Sequence, residues 1–386
     1  METSVRKGGT VVGSGQTADI FIVGGGPAGL AAAIAARKKG FQVTVADGAA
    51  PPIEKPCGEG MMPETLAVLN VLGAKFAPDE GFGFRGVSFI QQGATVSADF
   101  AHGRGLGLRR PALHEGLWRA AENCGVRILW KTPVRRIEGE TVQLSNGTIR
   151  ARWIVGADGH GSRIRLWSGL DSAVGHQRRY ANRRHYQVRP WSNRMEVYWG
   201  STAQGYVTPI ASDGVCVVTM GNTPQAAAFH NALDDLPALR ERLAGARLGS
   251  RERGAVSAML SLQRVQRGNV VLLGDASGGV DAITGEGLRM AFQQALALAD
   301  ALVTGDLRHY QRAHRKIARR PMLMGNLMLW LSRHSSIRER AIRAMQQHPD
   351  LFAHMLATHM GEATPMELLF TGTQLGLRLL DASEKG

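Results

Sequence analysis

Gly24, Gly26 and Gly29, with Asp47 about 20 residues on, have the types and spacing to hold a dinucleotide. The chemistry is that of a phosphate anion on bare backbone amides. Gly24 allows a tight turn, Gly26 lets a pyrophosphate approach the main chain, and Gly29 lets a helix lie close on a strand. Ala28 belongs to the same turn, GGGPAG, and is assigned with it to the cofactor. Asp47 can accept from both hydroxyls of an adenosine ribose. The elements that must position these residues are written around them. Ile20–Val23 is a buried parallel strand, Leu30–Lys39 an alanine-rich helix whose positive end faces the phosphates, and Gln42–Ala46 a second strand. A decoy, Gly13–Ala18, fits the G-x-G-x-x-A variant but precedes a strand instead of a helix, so Met1–Thr17 reads as a mobile polar arm.

Two later segments narrow the dinucleotide. Arg152–Gly159 is a strand running into a turn that contains Asp158, and Val270–Ala276 is a strand ending at Asp275. Acids at the carboxyl ends of parallel strands lie in the crevice where open α/β sheets bind ligands. Asp275 can take a ribityl hydroxyl there. A helix, Leu288–Thr304, follows Thr284-Gly285-Glu286-Gly287, and the amides of Gly287 and Leu288 can face the N1/O2 edge of a flavin. Taken alone, each segment reads equally well as a strand and turn with a capping aspartate.

Composition excludes several classes. The 386 residues can bury a large core, and no apolar run reaches the roughly 18 residues that span a bilayer. The first residues lack a secretory signal, and Cys57, Cys124 and Cys216 are odd in number and scattered, so no disulfide framework or metal site is expected. A cytoplasmic protein is expected. The net charge of +14 has its densest cluster at Arg178–Tyr186, but no nucleic-acid-binding pattern accompanies it. It reads as a solvated face or an attractor of anions, not a nucleic-acid site.

The chain resembles the FAD-dependent oxidoreductases of the aromatic-hydroxylase and geranylgeranyl-reductase superfamily. Gly156–Gly159 matches that family's DG motif and Gly274–Ala276 its GD motif. Asp281–Gly287 is similar to the reductase branch's P-x-T-G-E-G, with Ala282 in place of proline, and Lys55–Gly60 resembles its K-x-C-G element. Arg110 opens an R-x-x-L-x-x-x-L segment, whose arginine contacts FAD in relatives. The resemblance implies an α/β fold: a Rossmann-like FAD-binding domain with a parallel sheet (18–85, 105–172 and 266–305), an interleaved mixed β-sheet substrate domain (86–104 and 173–265) and C-terminal helices (306–386). Paired strands are expected at Gly86–Ile90 and Ala94–Phe100, then at Tyr186–Val188, Met195–Trp199, Gly205–Pro209 and Val215–Thr219. Gln225–Leu248 reads as an amphipathic helix, and His309–Gly361 is helical. The apolar stripe at Pro321–Leu331 reads as core, as a peripheral membrane contact, or as an entrance for a greasy substrate.

Only one dinucleotide fingerprint survives, and the resemblance to aromatic hydroxylases implies that NADPH or NADH, if used, binds transiently at the domain groove as electron donor. The first reading of the reaction is a monooxygenase, hydroxylating a small lipophilic aromatic or polyketide-like substrate through a flavin C4a-hydroperoxide. It rests on Gly205–Ile210, which lacks the aromatic-x-F-P-K element of isoprenoid reductases. The second is a flavin reductase of isoprenoid or other double bonds, suggested by K-P-C-G-E-G and T-G-E-G. A non-catalytic flavin-binding protein is the third. Cys57 near the flavin ring and His185 facing the substrate beside Arg184 are the catalytic candidates, each equally readable as a packed residue. Glu59 and Glu286 flank the flavin pocket or cap helices.

Overall fold

A computed structural model describes residues 16–77 and 79–362, with side chains described for all but 173–177. Most of the N-terminal arm and residues 363–386 of the C-terminal region lie outside the described residues. Gln16 and Thr17, expected in the arm, instead begin the first strand, Gln16–Val23.

The first eight-stranded sheet runs Gln266–Arg267, Val270–Leu272, Gly147–Gly156, Gln16–Val23, Val43–Ala46 and Arg127–Leu129, with Val134–Glu138 and Thr141–Leu144 attached beside it. The five from Val270–Leu272 to Arg127–Leu129 are parallel. Val23 stands opposite Ala46 and Gly156, and Gly156 opposite Leu272. The carboxyl ends are therefore flush, and Gly24, Asp47, Asp158 and Asp275 all emerge along one edge. The helix Pro27–Lys38 covers this sheet and packs on Gly287–Thr304. Leu30, Ile34 and Phe292 are fully buried between them, each stabilising the fold by about 1.5–3 kcal/mol.

The second sheet, also of eight strands, runs Arg247–Leu248, Ala173–Gln187, Gly214–Gly221, Ala203–Ala211, Met195–Trp199, Gly86–Gln91 and Ala94–Asp99, with Arg253–Leu262 also on Ala173–Gln187. One face carries Tyr198, Val207 and Val217 against short helices. The other carries Val87, Met195, Val197 and Tyr206 against Met62, Ile283 and the C-terminal helices Leu307–Arg333, Ser335–Gln347 and Pro349–Met360. No helix of the described residues is long and apolar enough to cross a membrane.

Three expectations need correction. The strand expected at Tyr186–Val188 is the tail of a 15-residue strand, Ala173–Gln187. The basic cluster inside it is not a solvated face, because strand alternation turns Arg179, Arg183 and His185 inward, where they are buried. Gln225–Leu248 is not one helix but three, Pro224–Ala227, Phe229–Asp235 and Pro237–Arg242, since Pro237 cannot continue the ladder.

Candidate active site

The glycine turn is shaped by collision. Gly24 has φ +111°, and a Cβ there would overlap the Ala157 carbonyl; a Cβ on Gly29 would overlap the carbonyl oxygen of Gly24. At Gly26 a Cβ would meet nothing within 4 Å. Gly26 is also the uncapped N-terminal boundary of Pro27–Lys38, so the Ala28 and Gly29 amides open onto free space. Asp47 is aimed at this space by the Gly25 and Ala49 amides, each donating to it at 2.7 Å. Two supports were not legible in the sequence: His114 bonds the Gly25 carbonyl at 2.8 Å, and Trp130 fills the room beneath Gly25. Burial keeps the His114 imidazole below its usual pKa, so it donates as the neutral ring.

The ribityl and ring ends of the crevice are also built. Burial opposes ionisation of Asp275, but Lys55, which donates to it at 2.9 Å, and the charges of His160 and Arg110 hold its carboxyl below the ordinary range. The Arg110 Nε is buried without a partner. Gly285 adopts φ +66°, and a Cβ on Gly287 would meet nothing within 4 Å, leaving the uncapped start of Gly287–Thr304 open beside Met62. These orphaned donors and glycine-lined gaps fit FAD. Asp158 accepts from Ser162 Oγ at 2.6 Å and from the Arg163 and Ile164 amides, so it braces the start of Arg163–Trp167, whose N-cap is Ser162. Glu286 lies buried against Arg289 and does not cap its helix.

His314 props the Gly-Asp turn from below. Its Nε2 bonds Ser277 Oγ at 2.9 Å, and that hydroxyl donates to the Gly274 carbonyl. Burial, helped by the Arg315 charge, pushes its pKa from 6.5 down to about 4. The folded value is below the unfolded one, so its stabilisation is complete above pH 6.5 and is lost as pH falls towards 4. Urea unfolding at pH 7 and pH 5 is expected to show wild type losing up to about 1.4 kcal/mol per pH unit through this group, and His314→Gln losing less. Equal losses in the two proteins would contradict this role.

Glu59 and His185 come together in the interior. Glu59 has φ +60°, a conformation costing about 1–3 kcal/mol for a residue other than glycine. The cost is met by its bonds: Oε1 accepts from the Arg110 amide at 3.0 Å, and Oε2 lies 2.7 Å from His185 Nε2. His185 Nδ1 lies 2.7 Å from Ser250 Oγ, and Arg183 bonds the half-buried Glu54 at 2.7 Å, which pairs in turn with the more exposed Arg253. Arg184, expected beside His185 towards the substrate, points outward to Glu252. Cys57 accepts from the Glu59 amide at 3.4 Å, and Cys216 donates to the Cys57 carbonyl at 3.6 Å. Burial pushes the Cys216 thiol well up, so it stays protonated. Glu59, His185 and Cys216 offer ligand atoms within 4.8 Å of one another, yet the Arg183 guanidinium 2.7 Å from His185 Nδ1 opposes a cation. The cluster is a buried hydrogen-bonded network.

An apolar pocket adjoins it. Met62, Val87, Phe89, Met195, Val197, Ile283, Met324 and Met328 line it, with Thr284 and His359 as its polar members. Gly60, next to Glu59, abuts Met195 and Thr208, which ties the pocket to the network. The hydroxyls of Tyr206 and Thr208 are buried without partners on the same sheet face as Met195 and Val197. His359 Nε2 meets the Thr284 carbonyl at 3.0 Å and burial lowers its pKa, leaving its Nδ1 unpartnered.

Residues 17–305 match the family model described as FAD binding domain. Menaquinone reductase of Mycobacterium tuberculosis is 27% identical over 322 residues, covering 76% of this chain and 78% of that protein. Digeranylgeranylglycerophospholipid reductase of Thermoplasma volcanium is 25% identical, covering 74% and 77%. A putative 2-heptyl-3-hydroxy-4(1H)-quinolone synthase of Rhodococcus erythropolis is 26% identical, covering 85% and 91%. The solved flavoprotein/dehydrogenase of Cytophaga hutchinsonii superposes with a TM-score of 0.80 at 18% identity, covering 95% of this chain and all of that one, and so shares the fold.

Proposed function

We propose that this protein, which belongs to the FAD binding domain family and is an FAD-dependent oxidoreductase, saturates a carbon–carbon double bond in a long apolar, isoprenoid-like substrate. The observation that supports this best is a charge-free, methionine-rich pocket beside a buried acid–imidazole pair. Saturation consumes one hydride and one proton per double bond; FAD held here in its reduced form would supply the hydride, with NADPH or NADH as the source of its electrons. The chain's own residues supply the rest. Met324, Met328 and Phe89 hold the hydrocarbon and exclude water, the flexible thioethers fitting an irregular chain. Glu59 and His185 hold the proton between Oε2 and Nε2, and Ser250 hands in its replacement.

This reverses the order of the two readings drawn from the sequence. Hydroxylation of a phenolic ring calls for a base to ionise the ring hydroxyl, and among the described residues lining the pocket the polar ones are Thr284 and His359, whose pKa burial lowers. The relatives named as reductases support the same choice. Monooxygenation remains the second reading because the quinolone synthase, whose named product bears a ring hydroxyl, covers more of this chain. The test is product analysis under argon, with FAD-loaded protein, NADPH or NADH, and polyprenyl quinones or prenyl lipids. A product heavier by two hydrogens per reduced bond is expected. No reaction under argon, together with label from heavy dioxygen in an aerobic product, would establish the second reading instead.

A further inference from the structure

The helix Leu307–Arg333 has two unlike faces. Inward, Met324 and Met328 line the apolar pocket. Outward, Arg312, Lys316, Arg319, Leu323, Leu327 and Trp330 follow at steps of three and four residues and so form one stripe. Its first half is basic. Its second half is apolar and open to solvent, with Leu323 65%, Leu327 39% and Trp330 44% exposed. No acidic residue occurs in the sequence between Asp306 and Glu339, and among the described residues the ion pairs of this helix, Arg308 and His309 with Asp306, end in its first turn. Elsewhere the exposed large apolar residues, such as Val71, Leu166 and Leu248, stand singly, as on any protein surface.

We propose that this stripe docks the protein on an anionic lipid surface. Leu323, Leu327 and Trp330 enter the boundary between headgroups and acyl chains, and Arg312, Lys316 and Arg319 meet the phosphates. Charge complementarity selects this occupant: the face offers a greasy patch continuous with uncompensated bases, on a chain of net charge +14. A second copy of the same face would bring no acid to these bases. The pocket lies on the other side of the same helix, roughly 10 Å away, so a lipid leaving the bilayer at Trp330 has a short path inward. The proposal holds whichever reaction follows.

Full-length, FAD-loaded protein co-sedimented with vesicles tests it. Binding is expected with phosphatidylglycerol mixed into phosphatidylcholine, and roughly tenfold weaker binding with phosphatidylcholine alone. Leu323→Glu with Trp330→Glu, and separately Lys316→Glu with Arg319→Glu, are each expected to weaken binding roughly tenfold or more while flavin spectrum and thermal midpoint stay as in wild type. Equal binding to neutral vesicles, or variants that bind as well as wild type, would overturn the proposal. So would a protein that ignores vesicles in every arm but changes from dimer to monomer on Trp330→Glu, which would give the face to a second copy.

Discussion

Glu59→Gln protein is expected to purify yellow, fold normally, and turn over about 10²–10⁴-fold more slowly than wild type, the usual worth of a positioned proton donor. Glutamine keeps the shape and can still accept from the Arg110 amide, so the helix start that bears Arg110 survives. What it loses is the proton shared with His185 across 2.7 Å. The deficit should fall on transfer to substrate and not on flavin reduction by NADPH or NADH, because the hydride donor needs no acid. Rapid mixing of each half-reaction separates the two. His185→Gln should be slow in the same half-reaction, and the double variant little slower than either single one, as residues acting as a unit are not additive. A Glu59→Gln enzyme with unchanged turnover would leave the strained φ of +60° as a folding feature alone.

Gly26→Val and Gly29→Val are expected to fail differently, although both lie in one turn. At Gly26 an added Cβ meets no protein atom within 4 Å, so the fold and its thermal midpoint should persist. The side chain would instead occupy the gap into which a diphosphate must come, and FAD affinity is expected to fall at least about a hundredfold, a loss of roughly 2.7 kcal/mol or more. At Gly29 the side chain overlaps the Gly24 carbonyl, an unyielding backbone atom, and pushes Pro27–Lys38 off its strand. That variant should lose FAD and also about 1–3 kcal/mol of stability. Gly161→Ala, where an added Cβ also meets nothing within 4 Å, should keep the thermal midpoint of wild type. Denaturant unfolding beside a flavin titration distinguishes the three. A yellow Gly26→Val would place the diphosphate elsewhere.

The nucleotide-binding half was legible because its signals are local. Strand, glycine turn, helix and acid occupy one stretch of chain, and the register that makes Val23, Ala46, Gly156 and Leu272 flush follows from parallel pairing of the apolar stretches Ile20–Val23, Trp153–Val155 and Val270–Leu272. The buried network was not legible. Glu59 and His185 are far apart in the sequence and meet only because a 15-residue strand turns alternate residues inward. Read as a cluster of like charge, Arg178–Tyr186 suggested solvent; read with period two, Arg179, Arg183 and His185 fall on one face. Their partners Glu54, Glu59 and Asp281 come from remote loops, which no local pattern announces. The bonds of Asp158 to Ser162 and to two amides at the start of Arg163–Trp167 were likewise not legible, because the motif marks the acid and not the turn that holds it.

Direct titration of the apoprotein with FAD, followed by visible absorption and flavin fluorescence, bears on the central claim most simply. One flavin per chain is expected, with quenched fluorescence as the ring enters the space beside Met62 and Gly287, and with Arg110→Ala and Asp275→Ala weakening the complex. A protein that remains colourless with excess FAD, or binds it equally well after both substitutions, would contradict the account.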